Sequence, residues 1–261
     1  MSTWSLCCIV HYPRQILCLI LIVSFRILAS STTVSVIRTP RHIVVGADSL
    51  VTNEGVGPSY ECKISSHGDV FFASAGIRED KQSGFFSVGL AIRAIEHSAN
   101  VGEAATRFTA SATDAFRIAL ERIRHDAPRY YVNKVKTRPE PLQMVFFGME
   151  RGIPTYALVY FTATDKSHGH IVVTPHLNDC PGHDCPDAKT GRSGRILGEN
   201  VAAKRASDTK SFWRDLSDTE AARKLVAIEE AESPSDVGGE IDVVTLDANG
   251  VHWAQPQHAC K

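Results

Sequence analysis

Two short apolar runs place the strongest constraint on how this 261-residue chain can fold. Residues 31–36 and 44–49 lie on either side of a polar bend, and both runs are rich in β-branched side chains. Runs of this kind are typical of strands, so the sequence predicts a hairpin here. Thr32 lies at the front of the first strand. A cut directly before it would create an N-terminal threonine, which combines a hydroxyl nucleophile with an amine that can serve as its base.

The segment before Thr32 has the features of a removable signal. Residues 16–25 (ILCLILIVSF) form an apolar run that follows Arg14 and is too short to span a bilayer comfortably. Ala29 and Ser31 match the small-x-small cleavage pattern. We therefore predict a signal peptide at 1–31, a domain at 32–261, and a secreted or periplasmic location. Arg26 interrupts the apolar stretch, which leaves an uncleaved anchor or a mispredicted start codon as alternatives.

Composition narrows the class of protein. The net charge is -1 and no basic block occurs, so nothing indicates binding to nucleic acid. Seven cysteines are present, and three of them lie in the first 18 residues. The other four form an even set in a compartment that permits disulfides. They are Cys62, Cys180, Cys185 and Cys260.

The predicted elements alternate in groups along the chain. Apolar β-branched runs and period-2 patterns predict strands at 33–39, 42–47, 60–65, 69–75, 142–150, 154–162, 170–175, 241–247 and 251–254. Period-3.6 patterns predict helices at 83–98, 102–125, 196–207 and 218–232, the last beginning with a capping box at Ser217 and Glu220. Residues 133–141 and 178–191 read as loops. This order favours two antiparallel sheets with helices on their outer faces.

A linked set of motifs then points to a family. The block TTVSVIRTPRHIVVGADSLVT is followed by Cys62-Lys63-Ile64 and by Phe72-Ala73-Ser74-Ala75-Gly76. Together these segments resemble proteasome β-subunits and the related bacterial ring protease subunit, which are N-terminal nucleophile (Ntn) hydrolases. The likeness is good over residues 32–77 and fair beyond them in the order of elements. It implies an α+β fold, a four-layer αββα sandwich of two antiparallel sheets, in an exported variant of that family.

The resemblance also implies roles for five residues. Thr32 would be the nucleophile, with its own α-amine as the base, since such amines titrate at about 7.7–8.0. Lys63 would tune that pair electrostatically and Asp48 would hold Lys63. The N–H of Gly76 would stabilise the oxyanion. Ser193, in a Gly-Arg-Ser-Gly element, would hydrogen-bond near the terminal amine.

Several features of the sequence weigh against a complete match. Leu50 stands where the family has a basic residue, Val237 where it has a serine, and Ser31 where it has a glycine. Taken alone, Asp48 is an ordinary turn residue and Lys63 an ordinary charge at a strand edge.

The cysteine-rich loop admits three interpretations. Cys180 and Cys185 lie five residues apart with His183 between them, and further histidines lie upstream. A disulfide is favoured in an exported protein, with free thiols and a metal site as alternatives. Cys62 and Cys260 could form a second bridge. No metal and no cofactor is predicted for the reaction.

The predicted function is that of a threonine-type peptidase or amidohydrolase. Its substrates would be peptides or unfolded proteins, and contact with a membrane would occur only through the signal segment. The resemblance implies a homo-oligomeric ring. One alternative is a catalytically inactive proteasome-like subunit with a structural or binding role. Another is a small-molecule amidase or acylase on the same fold.

Overall fold

The computed structural model describes residues 27–30, 32–53, 56–166, 170–182, 185 and 191–254. The predicted signal peptide lies outside the described residues, apart from 27–30. The strands are β1 (Ile27–Ser30), β2 (Thr33–Arg38), β3 (His42–Asp48), β4 (Leu50–Asn53), β5 (Val56–Tyr60), β6 (Ile64–His67), β7 (Val70–Asp80), β8 (Phe85–Phe86), β9 (Leu142–Glu150), β10 (Ile153–Asp165), β11 (Ile171–Cys180), β12 (Ser193–Gly198), β13 (Ile241–Asp247) and β14 (Gly250–Trp253). The helices are α1 (Ser87–Glu96), α2 (Val101–Asp126), α3 (Pro128–Tyr131), α4 (Val201–Ser207) and α5 (Asp218–Glu232), and a π-helical turn at Val132–Lys136 follows α3.

The described strands form two antiparallel sheets, as the order of elements predicts. The larger sheet has the order β11-β10-β9-β7-β1-β4-β5, and β6 and β8 also pair with β7. The smaller sheet has the order β12-β2-β3-β13-β14. The fold is therefore mixed α/β with two antiparallel sheets.

Three apolar clusters hold these elements together. The first joins α1 and α2 to the larger sheet and includes Phe108, Phe116 and Phe146. The second joins the two sheets through residues such as Val45 and Phe147. The third joins the smaller sheet to α4 and α5. Because β2 and β3 are covered on both faces, their sequences read as nearly continuous apolar runs rather than as alternating ones.

Helix boundaries follow the signals in the sequence. Asn100 accepts a hydrogen bond from the Glu103 N–H at 2.8 Å and caps α2, and that helix ends two residues before Pro128. The predicted capping box is present at α5, where Ser217 and Glu220 bond to each other's backbone N–H groups. None of the described helices is long and apolar enough to cross a bilayer.

The helix predicted at 196–207 was wrong over its first five residues. Residues 193–198 form β12, which pairs with β2 from Ser193 opposite Arg38 to Gly198 opposite Thr33. The helix begins only at Val201. Gly198 has φ +80°, a conformation that interrupts a helix and that glycine adopts readily. Leu197 is buried between the two sheets, and Ile196 packs against the cluster that joins the smaller sheet to α4 and α5. Each face of β12 thus carries an apolar residue, so this short run had no period that distinguishes a strand from a helix.

The predicted strand at 60–65 was also wrong in its bounds. Tyr60 ends β5, which pairs with β4, whereas β6 starts at Ile64 and pairs with β7. Lys63 lies in the connection between β5 and β6, directly before β6. The short hairpin of β4 and β5 had no strong signal in the sequence, because β5 contains Gly57 and Pro58, two residue types that are depleted in strands.

Candidate active site

A fully buried ion pair lies at the end of β3. Asp48 is the last residue of that strand, and Lys63 directly precedes β6. The Lys63 Nζ lies 2.8 Å from the Asp48 Oδ2, and both side chains are 0% exposed. Removing two charges from water is costly, and a sequence keeps such a pair inside a domain only when other groups also bind it.

The Asp48 carboxylate accepts hydrogen bonds from three separate parts of the chain. Its Oδ1 accepts a hydrogen bond from the Thr33 N–H at 2.9 Å. Its Oδ2 accepts one from the Gly238 N–H at 3.3 Å, in addition to that from Lys63. Asp48 thus ties Lys63 to the first residue of β2, directly after Thr32. The buried Val237 stands where the resemblance implies a serine, and the backbone of the next residue makes the contact.

Burial shifts the proton equilibria of both partners. Desolvation lowers the pKa of Lys63 to about 8, against the opposing attraction of Asp48. Desolvation also raises the pKa of Asp48, against the hydrogen bonds from Lys63, Thr33 and Gly238. The Lys63 ammonium therefore loses its proton more readily than that of an ordinary lysine, and it lies close to the start of β2.

Thr32 is held from the side opposite Asp48 by Gly198 and Glu199, two residues that no motif in the sequence indicated. Its carbonyl accepts a hydrogen bond from the Glu199 N–H at 3.0 Å, and the Thr33 Oγ donates to the Glu199 carbonyl at 2.6 Å. A Cβ on Gly198 would lie 1.6 Å from the Thr32 carbonyl oxygen, so only glycine fits there. Glu199 also pairs with Arg138. The glycines of residues 191–198 were the only signal in the sequence.

Gly76 occupies a tight position on β7. Its φ is +93°, and an added Cβ would lie 2.2 Å from the Pro141 carbonyl oxygen. Gly76 pairs with Ser30 of β1, two residues before Thr32. The structure therefore brings Gly76 to the chain that precedes Thr32. No larger residue could take its place without moving β9.

The chain before Thr32 lies as a strand between two others. β1 pairs with β7 over residues 27–30 and with β4 through Leu28 opposite Asn53. β1 is thus an internal strand of the larger sheet, paired along both edges. We call this space between β4 and β7 the strand slot.

Ser193 is not part of this group, contrary to the role that the resemblance implies. It lies at the far end of β12, opposite Arg38, whereas Gly198 at the other end is opposite Thr33. Five residues of strand separate the two ends, which is roughly 17 Å. The Ser193 hydroxyl instead contacts the sulfur atoms of Cys180 and Cys185 at 3.4 and 3.3 Å.

The cysteine loop is closed by a disulfide. Cys180 and Cys185 are bonded to each other and buried, as the favoured interpretation predicts. This excludes the two thiolates as metal ligands. Among the described residues no group of three or more His, Cys, Asp or Glu side chains could hold a metal ion. Cys62 is also disulfide-bonded, and its suggested partner Cys260 lies outside the described residues.

Comparisons with known proteins bear on the fold. No protein-family profile and no curated protein matches the chain. Among solved structures, a Gly-1 mutant of Anbu from Hyphomicrobium sp. strain MC1 is similar, with a TM-score of 0.50 and 19% identity. That match covers 88% of this chain and 87% of the other. A second Anbu structure from the same organism has a TM-score of 0.48 and 15% identity, with 87% of each chain covered.

These findings correct the family named from the sequence. The motifs placed the chain with proteasome β-subunits and the bacterial ring protease subunit, as an exported variant. The Gly-1 mutant reported above is instead a structure of Anbu, and nothing in the comparisons supports export. A likeness at 19% identity shows a shared fold, so a fold in common with Anbu is what the comparison establishes.

Proposed function

We propose that this chain is an N-terminal threonine hydrolase that cleaves peptide or amide bonds with Thr32. The observation that carries the proposal is the buried Lys63–Asp48 pair, whose carboxylate binds the N–H of the residue directly after Thr32. A buried ion pair typically adds little net stability, so its presence indicates another role. Tuning the proton equilibria of a neighbouring nucleophile is such a role. The Anbu likeness suggests a proteasome-like Ntn hydrolase as the class.

The proposed architecture is the four-layer αββα sandwich. Its support is the arrangement of the three apolar clusters. One lies between helices and the larger sheet, one between the sheets, and one between the smaller sheet and the remaining helices. In that arrangement β2 begins in the interior between the sheets, which would place a freed Thr32 at the end of the strand slot.

The chemistry requires that residues 1–31 be removed. While Thr32 is joined to Ser31, its nitrogen is an amide and has no basicity. After the cut, the α-amine would take the proton from Oγ as that oxygen attacks a carbonyl. The Lys63 ammonium favours both the unprotonated amine and a more acidic hydroxyl. Gly76 would offer its N–H to the developing oxyanion, at a place where no side chain blocks the approach.

The strand slot favours an extended peptide as the substrate. Residues 27–30 show that a chain leading toward Thr32 is held there by β4 on one edge and β7 on the other. Once they leave, both edges would offer unpaired backbone groups to a new strand, which is recognition by strand addition. Peptides and unfolded segments can take that conformation, and a homo-oligomeric ring is part of the same proposal.

Processing is the first test of this proposal. Intact-mass analysis of purified protein should find a chain that begins at Thr32, and a β-lactone should add to that residue once. The electrophile should not label a sample in which residue 31 is still attached, because that form lacks the base. A mature protein that begins elsewhere, or active protein that the lactone does not label, would instead support the inactive-subunit alternative.

The pH profile provides a second test. The amine must be neutral and titrates at about 7.7–8.0, while Lys63 must be charged and has a pKa of about 8. We therefore expect kcat/KM to pass through a narrow maximum near pH 8, with apparent values that belong to the coupled pair. Activity that keeps rising to pH 10 would show that the Lys63 charge is not required.

The loss of activity at alkaline pH should not result from unfolding. The pKa of Lys63 is lower in the folded protein than the ordinary value of 10.5. Between pH 8 and 10.5 the unfolded chain therefore holds more protons at this site, and the contribution of Lys63 to stability rises with pH in that window. Circular dichroism should stay constant while the rate falls.

A further inference from the structure

Arg78 is a second buried cation near the Lys63–Asp48 pair, and the proposed reaction leaves it without a role. It lies on β7, two residues beyond Gly76, with a side chain that is only 12% exposed. Its Nε is buried and has no hydrogen-bond partner among the described residues. The acidic group paired with it is Glu61, whose Oε2 lies 3.7 Å from Nη1. That separation is too long for a hydrogen bond.

Glu61 is a poor permanent partner for this guanidinium. Its side chain is 54% exposed, and ion pairs with one well-solvated member contribute little. A buried guanidinium with unmet donors is unfavourable in a folded protein, so an unsatisfied group of this kind calls for an explanation. A carboxylate is the partner that best matches its planar donors, because two parallel hydrogen bonds can form.

The backbone places Arg78 at the strand slot. In the pairing of β1 with β7, Ala29 is opposite Ile77 and Leu28 is opposite Glu79, with an irregularity between them. Arg78 is the residue that this irregularity leaves without a partner on β1. Residues 27–30 carry no acidic side chain that could reach it. The Arg78 charge is also close enough to act on Lys63 and Asp48.

We propose that Arg78 is a specificity-determining residue that receives the side-chain carboxylate of a peptide bound in the strand slot. This inference rests on the proposed function and adds a substrate class to it. The preferred peptides carry Asp or Glu among the residues directly before the cleaved bond, since β1 occupies that part of the slot. Glu61 lies at the rim as a weak substitute, which the incoming carboxylate displaces.

The test compares isosteric peptides with and without the charge. Fluorogenic peptides with Glu, Gln, Leu or Lys at each of the four positions before the cleaved bond are assayed with protein that begins at Thr32. At one of these positions, wild type should cleave the Glu peptide about 10- to 100-fold faster in kcat/KM than the Gln peptide, the range expected for a charge-assisted hydrogen bond. Arg78→Met should abolish that preference and leave turnover of the Leu peptides within about threefold.

Two further variants keep the result interpretable. Arg78→Lys retains a cation and should keep part of the Glu preference even if Arg78→Met folds poorly. Glu61→Gln removes the internal competitor and should increase the Glu preference rather than lower it. Arg107→Met removes an exposed arginine of α2 that pairs with Glu103, and serves as the matched control with no change expected.

The outcomes separate this inference from the reaction itself. If wild type cleaves Leu and Gln peptides through Thr32 but shows no preference for Glu at any of the four positions, the role of Arg78 is overturned and the hydrolase stands. An equal loss on all peptides in Arg78→Met and Arg78→Lys would also overturn it, and would assign the arginine to structure. Protein that begins at Thr32 but cleaves none of the peptides would overturn the proposed function and this inference together.

Discussion

Replacing Thr32 with alanine should reduce peptide hydrolysis by more than about 10³-fold in correctly cleaved protein. The variant keeps the terminal amine and the Lys63–Asp48 pair but has no oxygen that can form a covalent intermediate. Other parts of the site could support only residual turnover, since the groups of a catalytic unit act together. The measurement is the single-turnover rate on a fluorogenic peptide, with circular dichroism to confirm the fold.

Two companion variants define what this loss means. Thr32→Ser retains both the hydroxyl and the amine, so we expect measurable activity and labelling by a β-lactone. Thr106→Ala removes an exposed hydroxyl on α2 that bonds only within its own helix, and should behave as wild type. Turnover by Thr32→Ala at the wild-type rate would exclude Thr32 as the nucleophile.

The central part of the candidate site was predictable because its members lie near one another in sequence. Thr32 and Asp48 belong to one hairpin, in which β2 and β3 pair from Val34 opposite Ala47 to Arg38 opposite Ile43. Lys63 directly precedes β6, and Gly76 lies on β7, the strand with which β6 pairs. Spacing alone therefore brings these four residues together once the strands are recognised. Their catalytic roles stay predictions until they are measured.

The contacts on the other side of Thr32 were not predictable in this way. Gly198 and Glu199 reach Thr32 only because β12 pairs with β2 in one particular register. A one-residue change of register would present the other face of the strand, and no local pattern in the sequence specifies it. The Ser-Gly dipeptide at 193–194 was the more familiar pattern, and it drew the prediction to the wrong end of the strand.

The strand formed by residues 27–30 could not be predicted from the sequence, for a different reason. In the sequence this segment has the pattern of a signal peptide, and no strand is predicted for it. Backbone pairing with β7 and β4 gives it a place in the larger sheet, because two strand edges lie on either side of it. Pairing of this kind depends on what the rest of the fold leaves open rather than on the segment's own propensity.

The largest effect on stability should come from breaking the buried pair. Lys63→Met leaves the Asp48 carboxylate 0% exposed with no cation beside it, and Asp48→Asn leaves the Lys63 ammonium without its partner. Removing one member of a buried pair typically costs about 3–5 kcal/mol. We therefore expect either variant to lower the free energy of unfolding by that amount in urea titrations at pH 7.

Activity should fall in both variants for an electrostatic reason. Lys63→Met removes the charge that tunes the amine and the hydroxyl, and Asp48→Asn removes the attraction that opposes loss of that charge through burial. Contributions of this kind are worth roughly 10²–10⁴-fold in rate. In Asp48→Asn the Thr33 N–H still has an acceptor on the side-chain amide, so the backbone of β2 can stay in place. A loss below about tenfold in folded protein would be too small for the assigned roles.

The double variant Asp48→Asn with Lys63→Met separates structure from chemistry. It removes both charges together and leaves no unpaired ion, so it should recover much of the lost stability. It should recover none of the lost activity, because the cation is still missing. Recovery of both would show that the pair only supports the fold. Recovery of stability alone would show that this buried charge is kept for Thr32, directly before β2.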